Sequence, residues 1–126
     1  MLLSISFYSD IPIYTQIYEQ IIIGMVSGQL TFGESLPSVR ALSAEIGVNL
    51  HTVNKAYAML RDEGYIKMDR RIGAVVTNPP AEDLTNKLAD RLRPMAAEAI
   101  CKGVSEQAFL DICRSIFEEF KEENGI

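Results

Sequence analysis

The chain has 126 residues, of which 48% are hydrophobic and 23% are charged, and its net charge is −5 at pH 7. This length fits one compact domain, or a small domain with an appendage, and excludes a large enzyme. The composition predicts a buried core and excludes general disorder. No apolar run approaches the roughly 20 residues that span a bilayer, and the N-terminus lacks the basic flank of a secretory signal. We therefore expect a cytoplasmic protein.

The negative charge is concentrated in the last third of the chain. Residues 1–79 hold six Lys and Arg against seven acids, whereas residues 80–126 hold six bases against ten acids. An acidic balance argues mildly against nucleic-acid binding, because a basic surface normally supplies the phosphate contacts. The near neutrality of the first part weakens this objection without removing it.

No group of residues in the sequence resembles a catalytic or metal-binding site. Cys101 and Cys113 have no metal-binding spacing and cannot complete a zinc site with the single histidine. His51 has no serine or cysteine nucleophile near it in the sequence, so no triad is indicated. We predict that the protein is not an enzyme and needs no metal or cofactor.

The first elements in chain order are an extended segment and a helix. Residues 2–8 alternate apolar and polar side chains, which favours a short strand or an extended arm. Pro12 is tolerated in a first helical turn, and apolar residues then recur at helical spacing until a stop near Gly28. Turn residues around Gly33 follow, and Leu36 is expected to be extended because it precedes a proline.

Two short helices joined by a glycine are predicted next. Ser38 can cap a helix that runs to about Glu45, and Gly47 closes it. Asn49 can cap a second helix, which Gly64 stops. Helix, tight turn and helix in this order form the helix-turn-helix arrangement.

A β-hairpin is predicted directly after the second helix. Residues 65–69 (YIKMD) alternate in strand fashion, residues 70–73 (RRIG) form a basic turn, and residues 74–77 (AVVT) are a β-branched run. Such a hairpin after a helix-turn-helix is the wing of a winged helix.

Two amphipathic helices are predicted beyond the double proline at 79–80, which indicates a hinge. Pro94 lies inside the first, where an interior proline costs about 3 kcal/mol, so we expect a kink or a restart near Arg93. Gly103 ends that segment, and Ser105 can cap the last helix. Two helices alone cannot bury both apolar stripes, so a partner is expected. The predicted dimerisation residues are Leu84, Leu88, Leu92, Met95, Phe109, Ile112, Ile116, Phe117 and Phe120.

Polar side chains are concentrated around the start of the second short helix. In helix-turn-helix geometry these residues enter the major groove, where Asn pairs with adenine and Thr meets a phosphate or a thymine methyl group. Arg40, at the start of the preceding helix, can grip a phosphate or reach guanine. The alternatives are a solvated polar helix face and an ordinary charged turn. The candidate DNA contacts are Ser38, Arg40, Asn49, His51, Thr52, Asn54, Lys55, Arg70 and Arg71.

Several separated motifs stand in one order between residues 10 and 78. They are Pro12-Ile13-Tyr14-x-Gln16-Ile17, Leu36-Pro37-Ser38-Val39-Arg40, Ile46-Gly47-Val48, Thr52-Val53, Ala56-Tyr57 and Gly64-Tyr65-Ile66. With them the sequence resembles the GntR family of bacterial transcription regulators, which are winged-helix repressors, occasionally activators, that bind palindromic operators as dimers. The resemblance implies that Arg40 and the helix start at Asn49 contact DNA, with Thr52 near the backbone and the wing glycine, Gly73, close to the minor groove.

Two positions depart from the family pattern. The wing usually contains Gly-x-Gly, but Arg71 replaces the first glycine here. Leu50 stands where the family often has a polar or basic residue. The tail of fewer than fifty residues resembles the short YtrA-type subfamily, whose members use two C-terminal helices for dimerisation.

The expected fold class is mainly α (α+β), with a winged helix-turn-helix DNA-binding domain over residues 1–78 and a two-helix dimerisation region over residues 79–126. The expected function is sequence-specific regulation of transcription, as a repressor, by a homodimer on a palindromic operator. The alternative is a winged-helix protein-interaction module without DNA binding, which the charge of −5 favours. The sequence identifies no small-molecule effector.

Overall fold

The computed structural model describes residues 3–79 and 84–124, and within these ranges it contains five helices and a two-stranded antiparallel sheet. In chain order the elements are α1 (Ile13–Val26), α2 (Val39–Ile46), α3 (Leu50–Asp62), β1 (Ile66–Asp69), β2 (Gly73–Val76), α4 (Leu84–Cys101) and α5 (Glu106–Asn124). The chain divides into two compact units, Met1–Pro79 and Pro80–Ile126, which are described separately. The predicted fold class, mainly helical with a small wing, is confirmed.

The first unit is built around α3, which packs against α1, α2 and β1. One face of each helix closes a single hydrophobic core, because the apolar residues recur at helical spacing. The fully buried side chains of this core are Ile17, Ile21, Leu42, Val53, Leu60 and Ile66. Three neighbouring elements therefore fix the position of α3 in this unit.

Local capping sets the bend between α2 and α3. The hydroxyl of Ser38 accepts a hydrogen bond from the backbone N–H of Ala41 at 3.0 Å. Gly47 ends α2 in the left-handed region with φ +67°, which favours glycine. Asn49 then starts α3, with its side-chain oxygen accepting the N–H of His51 at 2.8 Å. All three end residues agree with the sequence predictions.

A buried phenol ties α3 to the segment that precedes α2. The hydroxyl of Tyr57 donates to the carbonyl oxygen of Pro37 at 2.7 Å. Burial, with a smaller contribution from the nearby carboxylate of Glu45, raises the pKa of Tyr57 well above its usual value. The phenol therefore stays protonated and keeps its role as donor.

The wing has an additional pairing that sequence analysis did not predict. Residues 33–36 lie along the second edge of β2, where Ser35 forms a bridge with Val75 and the N–H of Leu36 donates to the carbonyl of Ala74 at 2.9 Å. Only a turn and an extended residue were predicted for this segment. The pairing joins the start of α2 to the wing.

The N-terminal segment is an arm bound to α1, and residues 3–6 form no regular strand. The side-chain amide of Gln20 bonds the N–H and carbonyl of Ser4 at 2.8 and 2.7 Å, and that of Gln16 bonds the same groups of Ser6, both at 2.9 Å. Four residues of helix rise about 6 Å, close to the ~6.6 Å that two extended residues span. Two glutamines one turn apart thus supply the hydrogen bonds that the backbone of a neighbouring strand would otherwise make with the arm.

We expect Gln16→Leu to lower the free energy of unfolding by about 1–3 kcal/mol, because it removes three part-buried hydrogen bonds to the backbone of the arm. Gln16 is 8% exposed and also donates to the carbonyl of Ile11 at 2.8 Å. Gln20→Leu is the matched control, since its bonds to the arm are exposed to water. Urea denaturation at one fixed protein concentration measures both variants, and equal losses would contradict the assignment.

The second unit consists of α4 and α5, joined by a turn at Gly103, whose φ is +77°. Ser105 caps α5 as predicted, because its hydroxyl accepts the N–H of Ala108 at 3.1 Å. Of the kink or restart predicted near Arg93, the restart is wrong, since α4 runs without a break through Pro94, and the kink stays a prediction. The surrounding helix is exposed, so water can solvate the carbonyl that the proline leaves without a donor.

The apolar stripes of this unit are largely uncovered. Within the part of the chain that the structure describes, α4 has no buried residue, and α4 and α5 do not pack along each other. Phe109 and Phe120 are half-buried. The exposed members of the predicted dimerisation set are Leu84, Leu88, Leu92, Met95, Ile112, Ile116 and Phe117.

Candidate nucleic-acid interface

The first two turns of α3 present polar side chains at the protein surface. The helix buries Val53 and Ala56 against the core, whereas His51, Asn54 and Lys55 are exposed on the other side. The 3.6-residue period of the helix produces this separation of faces. These groups and the amino end of the helix form a surface that can meet a ligand.

Arg40 lies at the same surface, on the first turn of α2. It is exposed, and it lines a shallow groove between α2 and α3 whose volume is about 260 Å³. The lining residues of this groove, called the α2–α3 groove below, are Val39, Arg40, Leu50, His51 and Asn54. The bend at Gly47 thus brings together a cation, an imidazole and an amide.

Lys55 lies on the opposite flank of the exposed face, towards α1. Its ammonium nitrogen is 3.9 Å from the centroid of the Tyr14 ring, which is a cation–π contact. Such a contact limits the freedom of a long side chain while leaving the charge available. Tyr14 was not a predicted site residue, because residues from different helices give no sequence signal of proximity.

Two predicted site residues also have structural roles. The oxygens of Ser38 and Asn49 are engaged as the helix caps described above. The hydroxyl hydrogen of Ser38 and the side-chain NH₂ of Asn49 remain possible donors to an acceptor on a ligand. Thr52 is partly buried in the first turn of α3, where its N–H donates to the carbonyl of Asn49 at 3.0 Å.

The wing tip is a separate cationic part of the surface. Arg70 and Arg71 are exposed between the paired residues Asp69 and Gly73, and they do not line the α2–α3 groove. The carboxylate of Asp69 accepts the N–H groups of Arg71 at 2.8 Å and Ile72 at 3.3 Å. Asp69 was missed by sequence analysis, although an Asp that begins a short turn is a known signal.

The turn also explains the glycine that closes it. Gly73 has φ +81°, and a Cβ built there would meet nothing within 4 Å. The position therefore requires glycine for its backbone conformation and not for space.

Residues 3–79 and 84–124 contain no group of three or more His, Cys, Asp or Glu that could hold a metal ion. Across the same ranges no helix combines the length and apolarity needed to cross a bilayer.

Comparison with known proteins assigns the first unit. The family model described as bacterial regulatory proteins, gntR family, matches residues 13–76, which contain α1 to β2. The chain belongs to the GntR family. The family predicted from the motifs is therefore confirmed, and the first unit is a GntR DNA-binding helix-turn-helix domain of transcription regulators.

GntR relatives of similar length extend the match into the second unit. The HTH-type transcriptional repressor YtrA of Bacillus subtilis (strain 168) is 30% identical over 117 residues, covering 90% of this chain and 90% of that protein. The solved YtrA of Sulfolobus acidocaldarius, a GntR-family transcription factor, is 34% identical with a TM-score of 0.58, covering 93% of this chain and 97% of that one. These matches support the predicted YtrA-type resemblance.

A third similar protein is the transcriptional antiterminator from Listeria monocytogenes EGD-e. Its solved structure has a TM-score of 0.87 at 25% identity and covers 95% of this chain and 92% of that one. The match therefore includes elements of both units.

Proposed function

We propose that the protein is a homodimeric transcriptional repressor that acts in the cytoplasm on a palindromic operator. The observation that carries this proposal is the exposed amino end of α3, which shares one groove with Arg40. A helix end of this kind fits the major groove, and a dimer then reads two half-sites about one helical turn, or a multiple of it, apart.

Each exposed group has a role that its chemistry suits. Arg40 grips a phosphate or pairs with guanine, and Asn54 pairs with adenine. Thr52 and Lys55 bind the backbone, with Lys55 held in place by its contact with Tyr14. The wing contributes phosphate or minor-groove contacts through Arg70, Arg71 and the backbone near Gly73, and the free donors of Ser38, Asn49 and His51 complete the surface.

The proposed dimer is formed by the second unit. Its exposed apolar stripes are continuous along two helices, which supports their role as an interface. Association with a second copy would remove this apolar surface from water. An apolar hollow of about 250 Å³ at the turn between α4 and α5, lined by Ala99, Ile100, Val104 and Phe109 among others, can receive a side chain from that copy. Residues 79–126 are therefore proposed as the dimerisation region, and residues 1–78 as the DNA-binding domain.

The salt dependence of duplex binding tests this function. Duplexes are first selected from fragments of the source genome, and the affinity of the best one is then measured by fluorescence anisotropy at increasing salt. If a dimer makes six to ten phosphate contacts, affinity should fall about 10³- to 10⁵-fold between roughly 50 and 200 mM salt. Failure to select any duplex, or a flat salt dependence, would contradict the proposal.

A second candidate is a protein-interaction module that uses the same helix surface. It is favoured by the acidic balance of the chain, which is −5 in total and −1 over residues 1–79. Duplex selection, followed by substitution of Arg40 and Thr52, separates the two candidates. Loss of duplex binding with unchanged dimer mass supports the regulator, whereas a module without DNA binding would select no duplex at all.

A further inference from the structure

Leu50 is an apolar residue at the start of a polar helix. It is the first residue of α3 and is partly buried, yet it is not among the partly buried side chains that pack against the hydrophobic core. It lines the α2–α3 groove together with Val39, which does pack against the core. The core therefore gives no reason for a leucine at this position.

The α2–α3 groove has a mixed lining that suits a particular kind of surface. Val39 and Leu50 make its apolar part, and Arg40, His51 and Asn54 make its polar part. One cation and no carboxylate contribute to the lining, so the charge favours an anionic partner over a second copy of this acidic chain. A duplex combines anionic phosphates with one apolar group on a base edge.

That apolar group is the C5-methyl of thymine, which projects into the major groove and is read by apolar contact. Arg40 and Asn54 offer donors for guanine and adenine edges, and neither provides an apolar contact for this methyl group. We propose that Val39 and Leu50 form a thymine-methyl site, and that Leu50 determines specificity for thymine at one position of each half-site. This inference rests on the proposed function.

Replacing thymine by deoxyuridine tests the site, because the change removes only the methyl group. Each thymine of the selected operator is replaced symmetrically in both half-sites, and affinity is measured by fluorescence anisotropy. Burial of one methyl group corresponds to about a fourfold change in affinity, so the sensitive position should lose about 15-fold when both half-sites change. Replacement at the other thymine positions should change the operator affinity by less than about twofold.

Two variants identify the residue that reads the methyl group. Leu50→Asn should bind the thymine and uracil operators with equal affinity, whereas the conservative Leu50→Met should keep most of the discrimination. Both variants should unfold at the wild-type temperature, because Leu50 does not pack against the core. If Leu50 had only a structural role, Leu50→Asn would lower the unfolding temperature and leave the ratio of the affinities for the thymine and uracil operators unchanged.

The outcomes separate this inference from the function on which it rests. If the wild type binds its operator but tolerates uracil at every position, the methyl site is rejected while the regulator stands, and the groove is left to another ligand such as an acidic peptide. Full thymine discrimination by Leu50→Asn would also reject it. If the wild type binds no duplex, the proposed function itself fails.

Discussion

Phe117→Asp in α5 should dissociate the proposed dimer and weaken operator binding by about 100-fold or more. Phe117 is 68% exposed in the single chain and lies on the apolar stripe of α5. Truncating a central interface aromatic costs about 2–4 kcal/mol, and a buried, unpaired carboxylate adds to that cost. A monomer also loses the gain of binding two linked half-sites, which is about 10²- to 10⁴-fold.

Light scattering after size exclusion measures the mass, and fluorescence anisotropy measures the binding of the same sample. Glu118→Ala is the matched control, because Glu118 is on the opposite face of α5 and forms an exposed ion pair with Lys121 at 3.5 Å. Exposed pairs of this kind contribute little, so its mass and affinity should stay at wild-type values. A dimer of unchanged mass in the Phe117 variant would rule out this interface.

The second large effect is expected from Arg40→Ala, which should lower operator affinity about 10- to 100-fold without changing dimer mass. An arginine paired with guanine contributes about 1–3 kcal/mol of discrimination, and its side chain here is exposed in the α2–α3 groove. Truncation should leave the fold intact because Arg40 is not part of the core.

Two further measurements assign the partner of Arg40. A guanine partner predicts a loss confined to one base-pair position, whereas a phosphate partner predicts a uniform loss and a salt slope reduced by about 0.9 per contact. Arg61→Ala is the control, since Arg61 is at the far end of α3 and binds Asp62 at 3.2 Å. Equal losses of operator affinity in Arg40→Ala and Arg61→Ala would show that the groove is not the DNA surface.

Local signals made the centre of the first unit predictable. The caps at Ser38 and Asn49 and the closing Gly47 each act within four residues of the chain, so the sequence contains all the partners that set the bend. The polar start of α3 follows from helical periodicity in the same way. Arg40 could be assigned to the same surface because the bend fixes where α2 begins relative to α3.

Features that depend on distant pairs were not predictable. Tyr14 and Lys55 meet only because α1 and α3 pack together, and no local pattern marks such a contact. The pairing of residues 33–36 with β2 has the same origin, since a single extended residue before a proline does not reveal a partner. The unbroken α4 is a different case, because a proline cost of about 3 kcal/mol weakens a helix locally but does not by itself decide whether the helix ends there.

The strand-like segment at 33–36 also bears on the tendency of the first unit to aggregate. It makes β2 an inner strand, so the outer positions of this small sheet go to β1 and to the segment itself. Both outer positions are poor templates for another chain: β1 spans four residues and carries the charged Lys67, and the segment is followed at once by Pro37. Uncontrolled strand addition between copies of the first unit is thereby discouraged.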